Sequence, residues 1–329
     1  MRVSIKDLSE KTGYSIATIS NVLNGKPGVN SETVRDIINT ARSLGYIQQR
    51  KIKKVRLILY KKTGKILDDT PFFFTLYKGI ETACNEYDLK LEICTLDKRL
   101  EDFNTKLDEI LRDATAGFLI LATEMEEEDI YKFESCISPI VILDNQFEKC
   151  DFPSVSTENL LSATKIVKYF KHKGYEKIGF IQSSVKIDNF VEREKGYHMA
   201  LAELGLEDSE NYKIELSPTM EGAYEDMKAY IAKKEKLTNA YFVVNDMIAF
   251  GAMKAISEAG YKIPEDIALI GFDDLPFSKV SNPALTTVHV YKEEMGKLGV
   301  NLLASKIATD LPTYLHCVLG TEMILRDSI

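Results

Sequence analysis

Two groups of residues in this chain have types and spacings that can do chemistry. The first lies in "DLSEKTGYSIATISNVLNGKPGV", residues 7–29. There Ser15, Thr18, Ser20, Asn21 and Asn24 crowd a segment whose Ile16, Ile19, Val22 and Leu23 recur at helical spacing. Small hydroxyls and amides are mediocre helix formers, so their use needs a reason. They let a helix approach a sugar-phosphate wall: hydroxyls donate to phosphate oxygens, and an Asn can pair with an adenine edge. Ile16 and Ala17, exposed at the helix start, can touch thymine methyls. The second group ends apolar runs. Asp144 closes "VILD", Asn245 and Asp246 close "FVVND", Asp273 and Asp274 close "LIGFDD", and Arg193 is placed just before the helix "EKGYHMALAEL". Carboxylates, an amide and an Arg together satisfy vicinal hydroxyls, which both donate and accept. "PFFF" at 71–74 adds aromatic faces that suit the apolar side of a sugar ring. Each Asp alone is equally well explained as a helix cap or turn former, and at least one of Phe72, Phe73 and Phe74 as core.

The elements that must position the first group are three short helices. Ser4 can cap a helix with Ile5 and Leu8 inside, and Gly13 breaks it. Ser15 caps the next, which "NGKPG" ends. Ser31 is expected to cap a third, with Val34, Ile37, Ile38, Ala41 and Leu44 inside and Gly45 as the stop. Two helices joined by a tight glycine turn and braced by a third form a helix-turn-helix. From Val55 onward, short apolar runs such as "VRLILY", "GFLILA", "KIGFIQ" and "IALIGFDD" alternate with helical patterns. That rhythm argues for two doubly wound parallel sheets, each covered by helices. Such sheets bind ligands beyond the carboxyl ends of their strands, which is where the second group falls. The expected division is a head at 1–46 and a short basic linker at 47–54. One lobe then comprises 55–153 and 285–312, the other 154–284 and 313–329, with a ligand crevice expected between them.

Charge sharpens the distinction between head and body. Residues 1–62 hold 13 Lys and Arg against 4 Asp and Glu, a net of +9, while the remainder is −17 in a chain of net −8. A sign reversal of that size suits a cationic head for a polyanion on an acidic body. Five scattered cysteines without a C-x-x-C pair, and four dispersed histidines, argue against a disulfide framework or a metal site. The start "MRVSIKDLSE" is not an export signal and no run is long enough to span a membrane, so a cytoplasmic protein without membrane partners is expected. No nucleotide-binding glycine motif and no hydrolase nucleophile motif is present, so neither catalysis nor a cofactor is expected. Asp273 and Asp274 are adjacent, so their side chains should diverge rather than form an acid–base dyad.

"IKDLSEKTGYSIATISNVLNGKPGVNSETVRDIINTARSLGY" resembles the headpiece of the lac-repressor/gal-repressor family of bacterial transcription regulators. "VVNDMIAFGAMKAISEAGYKIPEDIALIGFDD", "NPALTTV" and "ILRDS" are similar to its effector domain, itself similar to periplasmic sugar-binding proteins. The resemblance implies that Ile16, Ala17 and Asn21 contact bases. It makes Ser15, Thr18, Ser20, Asn24, Ser31 and Arg35 backbone-positioning or capping residues. It implies effector contacts at Phe72, Phe73, Asp144, Arg193, Asn245 and Asp273. The partners then expected are a pseudo-palindromic double-stranded operator, a second copy of the chain, and a small effector, chiefly a carbohydrate. A nucleobase, nucleoside or protein co-effector is the alternative, and a solute-binding protein or an α/β enzyme the remoter one. Three positions depart from the family. Asn21 stands where Arg is frequent, Ser217 where an aromatic is frequent, and Glu158, before Asn159, where Asp is usual. The linker "IQQRKIKK" is also short, with Ile52 as its candidate minor-groove wedge, so weaker DNA bending is expected.

Overall fold

Ser4 opens the head as a reciprocal cap. Its hydroxyl accepts from the Asp7 amide at 3.3 Å, and the Asp7 carboxylate accepts from the Ser4 amide at 2.7 Å. In the computed structural model, residues 3–23, 26, 28–46, 52–67, 71–113, 115–136, 138–233, 237–308 and 315–329 are described, without the side chains of residues 31, 35 and 42. Helix α1 (Ile5–Thr12) ends at Gly13, whose φ of 76° lets the chain turn sharply. Helices α2 (Ile16–Leu23) and α3 (Ser31–Ser43) follow. Leu8, Ile19, Val22, Ile37, Ile38 and Ala41 form one buried cluster, flanked by Ile5, Tyr14, Leu23, Val34 and Leu44. The cap of α3 differs from expectation. Asn30, not Ser31, accepts from the Thr33 amide, at 2.8 Å, and Ser31 is the first helical residue. Both residues are good caps by type, and the choice was made by which amide oxygen lies three residues before a free N–H.

The body begins with β1 (Lys54–Lys61), α4 (Phe72–Glu86), β2 (Lys90–Asp97), α5 (Phe103–Arg112), β3 (Ala116–Leu121), α6 (Glu127–Ile130), β4 (Ile140–Leu143) and β5 (Ser154–Thr157). It continues with α7 (Asn159–His172), β6 (Gly179–Ser183), α8 (Asp188–Leu204), β7 (Lys213–Leu216), α9 (Met220–Ala232), β8 (Ala240–Val243), α10 (Asp246–Glu258) and β9 (Ala268–Ile270). Strand β10 (Thr287–Val290), α11 (Lys292–Ala308), β11 (His316–Leu319) and β12 (Thr321–Ile324) complete it. One sheet runs β11-β5-β4-β3-β1-β2 and another β7-β6-β8-β9. The pairs of β1 with β2 and β3, and of β6 with β7 and β8, are parallel. Their apolar residues align across the ladders, as at Leu57 with Ile93 and Leu119. A third, two-stranded sheet departs from the all-parallel expectation: β10 pairs antiparallel with β12. The intervening α11 and β11 bring the chain back in the opposite direction.

Contacts divide the chain into two units. One comprises Met1–Lys62, Ile80–Ser154 and Gly296–His316, the other Thr63–Gly79, Val155–Met295 and Cys317–Ile329. The division differs from the expected lobes at 63–79 and 285–295. Gly79 lies so close to the Glu293 carbonyl that a Cβ would meet it at 2.0 Å, and β10 is held by β12, so both stretches belong with the second unit. The expected junction at 312 and 313 lies outside the described residues. In the first unit Ile58, Tyr60, Phe118, Ile120, Phe133 and Ile142 centre the core. In the second, the Phe180 ring lies 5.1 Å from both Tyr197 and Phe242.

Two elements start earlier than their sequence suggested. Arg193 lies inside α8 rather than before it, because the helix already begins at Asp188, an acidic residue that suits a first turn. Phe72, Phe73 and Phe74 form the first turn of α4. For the head, Asn30→Ala should cost about 0.5–2 kcal/mol, the usual loss for an N-cap. Thermal unfolding measured by helix circular dichroism checks this, and an unchanged midpoint would contradict the cap.

Candidate nucleic-acid interface and candidate ligand site

Helix α2 presents two different faces. Ile19 and Val22 are buried in the head core, while Ile16 is 49% exposed and Ala17 is exposed. Ser20 and Asn21 are half-buried at the margin. Ser15 caps the helix: its Oγ accepts from the Thr18 amide at 3.1 Å and shares a 2.9 Å hydrogen bond with the Thr18 hydroxyl. No acidic residue occupies the first turn, so the positive end of the helix dipole is uncompensated there. An apolar residue, a small residue and an amide thus stand next to free backbone N–H groups, a surface suited to a phosphate wall and base edges. Asn24 lies outside the described residues, as do the side chains of Ser31 and Arg35 and most of the linker.

In the second unit, four of the expected ligand residues stand on neighbouring parts of the fold. Arg193 is buried on α8. Its Nε donates to Asn159 Oδ1 at 2.9 Å and its Nη1 to the Val244 carbonyl, just past β8, at 2.8 Å. The guanidinium carbon lies 3.7 Å from the centre of the Phe272 ring. Its Nη2 reaches Asp273 Oδ1 only at 3.5 Å. Asp273 Oδ2 accepts no hydrogen bond from any described residue, although Asp273 is only 8% exposed. Burial pushes this carboxyl upward, and the Arg193 and Lys292 charges oppose the rise. Asn245 caps α10 by accepting from the Ile248 amide at 3.0 Å, leaving its Nδ2 without a bond to a described residue. The cluster therefore offers an under-satisfied acceptor, Asp273, and an unused donor, Asn245. Phe72 is buried beside Lys292, while Phe73 packs on Tyr77 with ring centres 6.1 Å apart.

Asp144 sits in the first unit at the end of β4, where its carboxylate accepts from the Thr123 hydroxyl at 2.6 Å. The non-glycine residues with positive φ among the described ones are Asp88, Asp144, Asp273 and Asp274. Aspartate tolerates that region better than most residues. The turn-former and ligand explanations of these strand-end carboxylates are therefore compatible. Asp273 and Asp274 do diverge: Asp274 accepts from Arg326 at 2.6 Å and pairs with His289 at 2.8 Å. Burial alone would raise Asp274, but Arg326 and His289 overcome it and hold the carboxyl low.

Residue-type reasoning missed three members of the cluster. Asn159 orients Arg193 and also donates to Asn189 Oδ1 at 2.9 Å. Lys292, 4% exposed, donates through Nζ to the carbonyls of Asp273 and Val290. Asn159 and Asn189 follow "TE" and "ID" at helix starts, where an Asn reads as a cap, and Lys292 reads as a solvated charge. At the two departures in the body, Ser217 is taken up by Asp226, which accepts from its amide at 2.7 Å, and Glu158 pairs with Lys165 at 3.1 Å.

Together, the head and the parallel α/β units define a helix-turn-helix protein with a periplasmic-binding-protein-like body. Residues 167–329 match the family model for a periplasmic binding protein-like domain. The HTH-type transcriptional repressor PurR of Mannheimia succiniciproducens is 26% identical over 330 residues, covering 99% of this chain and 98% of that protein. PurR of Histophilus somni is 27% identical over 333 residues, with the same coverage. Among solved structures, the transcriptional regulator CelR in complex with cellobiose has a TM-score of 0.75 at 22% identity, covering 99% of this chain and all of that one. The lac repressor dimer bound to operator and the anti-inducer ONPF has a TM-score of 0.72 at 18% identity, covering 100% of this chain and 99% of that one. The chain is thus similar to transcriptional repressors over head and body alike, and over residues 167–329 to a periplasmic binding protein-like domain.

Asp246 gives the cluster a measurable proton linkage. It is fully buried and accepts from the Leu275 amide and the Ser278 and Thr287 hydroxyls at 2.9, 2.7 and 2.6 Å. Gly271 makes room for it: a Cβ there would stand 2.2 Å from Asp246 Oδ1. Burial, with the like charge of Asp273, pushes the Asp246 carboxyl from 3.8 to about 7, and the three donors offset only part. A carboxyl raised by folding stabilises the fold below its unfolded value, and that contribution is lost as pH rises through the folded value. Relative to Asp246→Asn, the wild type should therefore lose stability as pH rises from about 4 to about 7. Urea unfolding of both proteins across that range checks this, and a constant gap would contradict it.

Proposed function

We propose that this protein is a ligand-responsive repressor. Its head binds an operator, and a small neutral ligand at the Arg193–Asp273 cluster sets the affinity. The observation that carries the DNA half is the two-faced α2, with Ile19 and Val22 inside, Ile16 and Ala17 exposed and Asn21 at the margin, on a region of net charge +9. Ile16, Ala17 and Asn21 read bases. Ser15, Thr18, Ser20, Asn24, Ser31 and Arg35 cap helices or meet the backbone. One three-helix head touches few base pairs, so two copies of the chain read a pseudo-palindrome with half-sites about 34 Å apart. The relatives named as transcriptional repressors match head and body alike.

The ligand half rests on Asp273, a nearly buried carboxylate with an unoccupied oxygen, and on Asn245 with a spare amide. A ligand must donate to the first and accept from the second, as a polyol does. An anionic ligand would bring its charge against Asp273. Phe72 and Phe73 supply apolar surface. CelR was solved with cellobiose, and a LacI family transcriptional regulator from Enterococcus faecium with ribose. Ser217, tied to Asp226, offers no ring to stack a planar base, which favours a sugar over a nucleobase or nucleoside. The short linker "IQQRKIKK" supports charge contacts with phosphates more than insertion of Ile52, so the operator should be bent only weakly.

The test is operator binding by fluorescence anisotropy, with and without D-ribose, cellobiose and a purine base. A sugar should shift operator affinity by about 5–150-fold, the usual range of allosteric coupling. Arg193→Ala and Asp273→Ala should lose that shift while still binding the operator, and a retained shift in both would remove the site. Asn21→Ala should relax preference at one base pair by about 1–3 kcal/mol. Equal weakening on every duplex would instead make Asn21 a backbone contact. Affinity should also fall steeply with added salt.

A further inference from the structure

The turn that presents Asp273 is an unfavourable one. Asp273 has φ of 116° and Asp274 φ of 50°, two successive non-glycine residues on the positive side. Such conformations cost of order 1–3 kcal/mol each and persist only where neighbours over-determine them. The neighbours here are few and specific. The Asp273 amide donates to the Val288 carbonyl at 2.9 Å, and the Leu275 amide to Asp246 at 2.9 Å. Arg326 and His289 hold the Asp274 carboxylate, and the anchor on the Asp273 carbonyl is Lys292, whose amino group donates to it and, at 3.3 Å, to the Val290 carbonyl. The same nitrogen lies 5.6 Å from the centre of the Phe72 ring.

Lys292 is an expensive choice for a backbone brace. Its side chain gives up hydration and rotamer freedom, and it stands in the first turn of α11, where a cation opposes the helix dipole. An uncharged donor would satisfy the same carbonyls at lower cost. A cation is needed if the charge itself is used, and the charge faces Asp273. The charged groups around Lys292 are Asp273, Asp246, Asp274 and Arg193: three carboxyls against one guanidinium. Burial pulls the Lys292 ammonium below the ordinary lysine range, and those carboxyls draw it back. The long 3.5 Å contact from Arg193 leaves Asp273 incompletely neutralised on that side.

We propose that Lys292 is the positioning residue of the ligand site: its buried ammonium fixes the Asp273 turn, places a second positive charge beside the Asp273 carboxyl, and ties the turn to Phe72. Lys292 acts through Asp273 rather than on the ligand. This assignment rests on the reading of Asp273 as a ligand acceptor.

The deciding experiment needs no ligand. The Asp273 carboxyl is titrated by carbon-13 NMR in the full-length chain as wild type, Lys292→Met and Lys292→Arg, with the resonance assigned by its loss in Asp273→Asn. The titration midpoint should move up in Lys292→Met and return toward wild type in Lys292→Arg, with the two variants having similar thermal midpoints. If Asp273 titrates alike in wild type and Lys292→Met, the proposal is overturned. If the Met and Arg variants shift together, Lys292 is only a packing element and the proposal again fails. Should Lys292→Met prove unfolded, Lys292→Gln, which keeps a donor without charge, takes its place under the same criteria. For any probe sugar that binds, D-ribose or cellobiose, Lys292→Met should weaken binding about tenfold, the equivalent of one charge-assisted hydrogen bond. A failure of the ligand reading looks different: Asp273 would shift as expected, yet Asp273→Asn would leave every sugar response unchanged.

Discussion

The second unit depends on one buried guanidinium. Taking an arginine out of water costs several kcal/mol unless its N–H groups and its charge are answered. Arg193 is answered by an amide from α7, a carbonyl beyond β8, a carboxylate beyond β9 and the face of Phe272. Each partner comes from a different segment, so the guanidinium sets where those segments stand relative to one another. In the proposed function the long contact is the one that matters. A tight Arg193–Asp273 pair would be a closed structural salt bridge, whereas a loose pair leaves Asp273 with capacity for an incoming donor. The cost of that looseness is met by the surrounding anchors rather than by the pair itself.

The head follows a different economy. Its core is small, and its helices are set by caps and a glycine turn as much as by buried area. The residues it leaves outside are small or polar, and no acidic side chain blocks the start of α2. Charge gives such a head affinity for any duplex, and only a few side chains on α2 can give preference for one. In the proposed function a ligand need not touch the head. It need only interact differently with two states of the protein that hold the head differently, and the coupling is limited to that difference.

Most of the head was legible because its signals are local. Apolar spacing located Leu8, Ile19, Ile37 and Ala41, and glycine and serine marked the helix ends. The error there, Ser31 for Asn30, is one residue between two good caps. The alternating strands of the body and the strand-end positions of Asp144, Asn245 and Asp273 were legible for the same reason: parallel strands are short apolar runs that stop at polar residues. Arg193 was found as a residue but misplaced, since nothing local forbids starting α8 one turn later. Lys292 and Asn159 were not legible at all. Their importance comes from partners 19 and 34 residues away, and neither residue type nor spacing records such contacts. The regrouping of 63–79 and 285–295 has the same origin in long-range contact.

The central claim is that one ligand site and one DNA-binding head share a single equilibrium. Linkage makes that claim quantitative: whatever factor the ligand imposes on operator affinity, the operator must impose on ligand affinity. Calorimetric titration of an effective sugar into the full-length protein, alone and saturated with its operator duplex, measures the second factor directly. The account predicts that it equals the first within error. Identical sugar affinity in the two titrations, beside a sugar-dependent operator affinity, would contradict it.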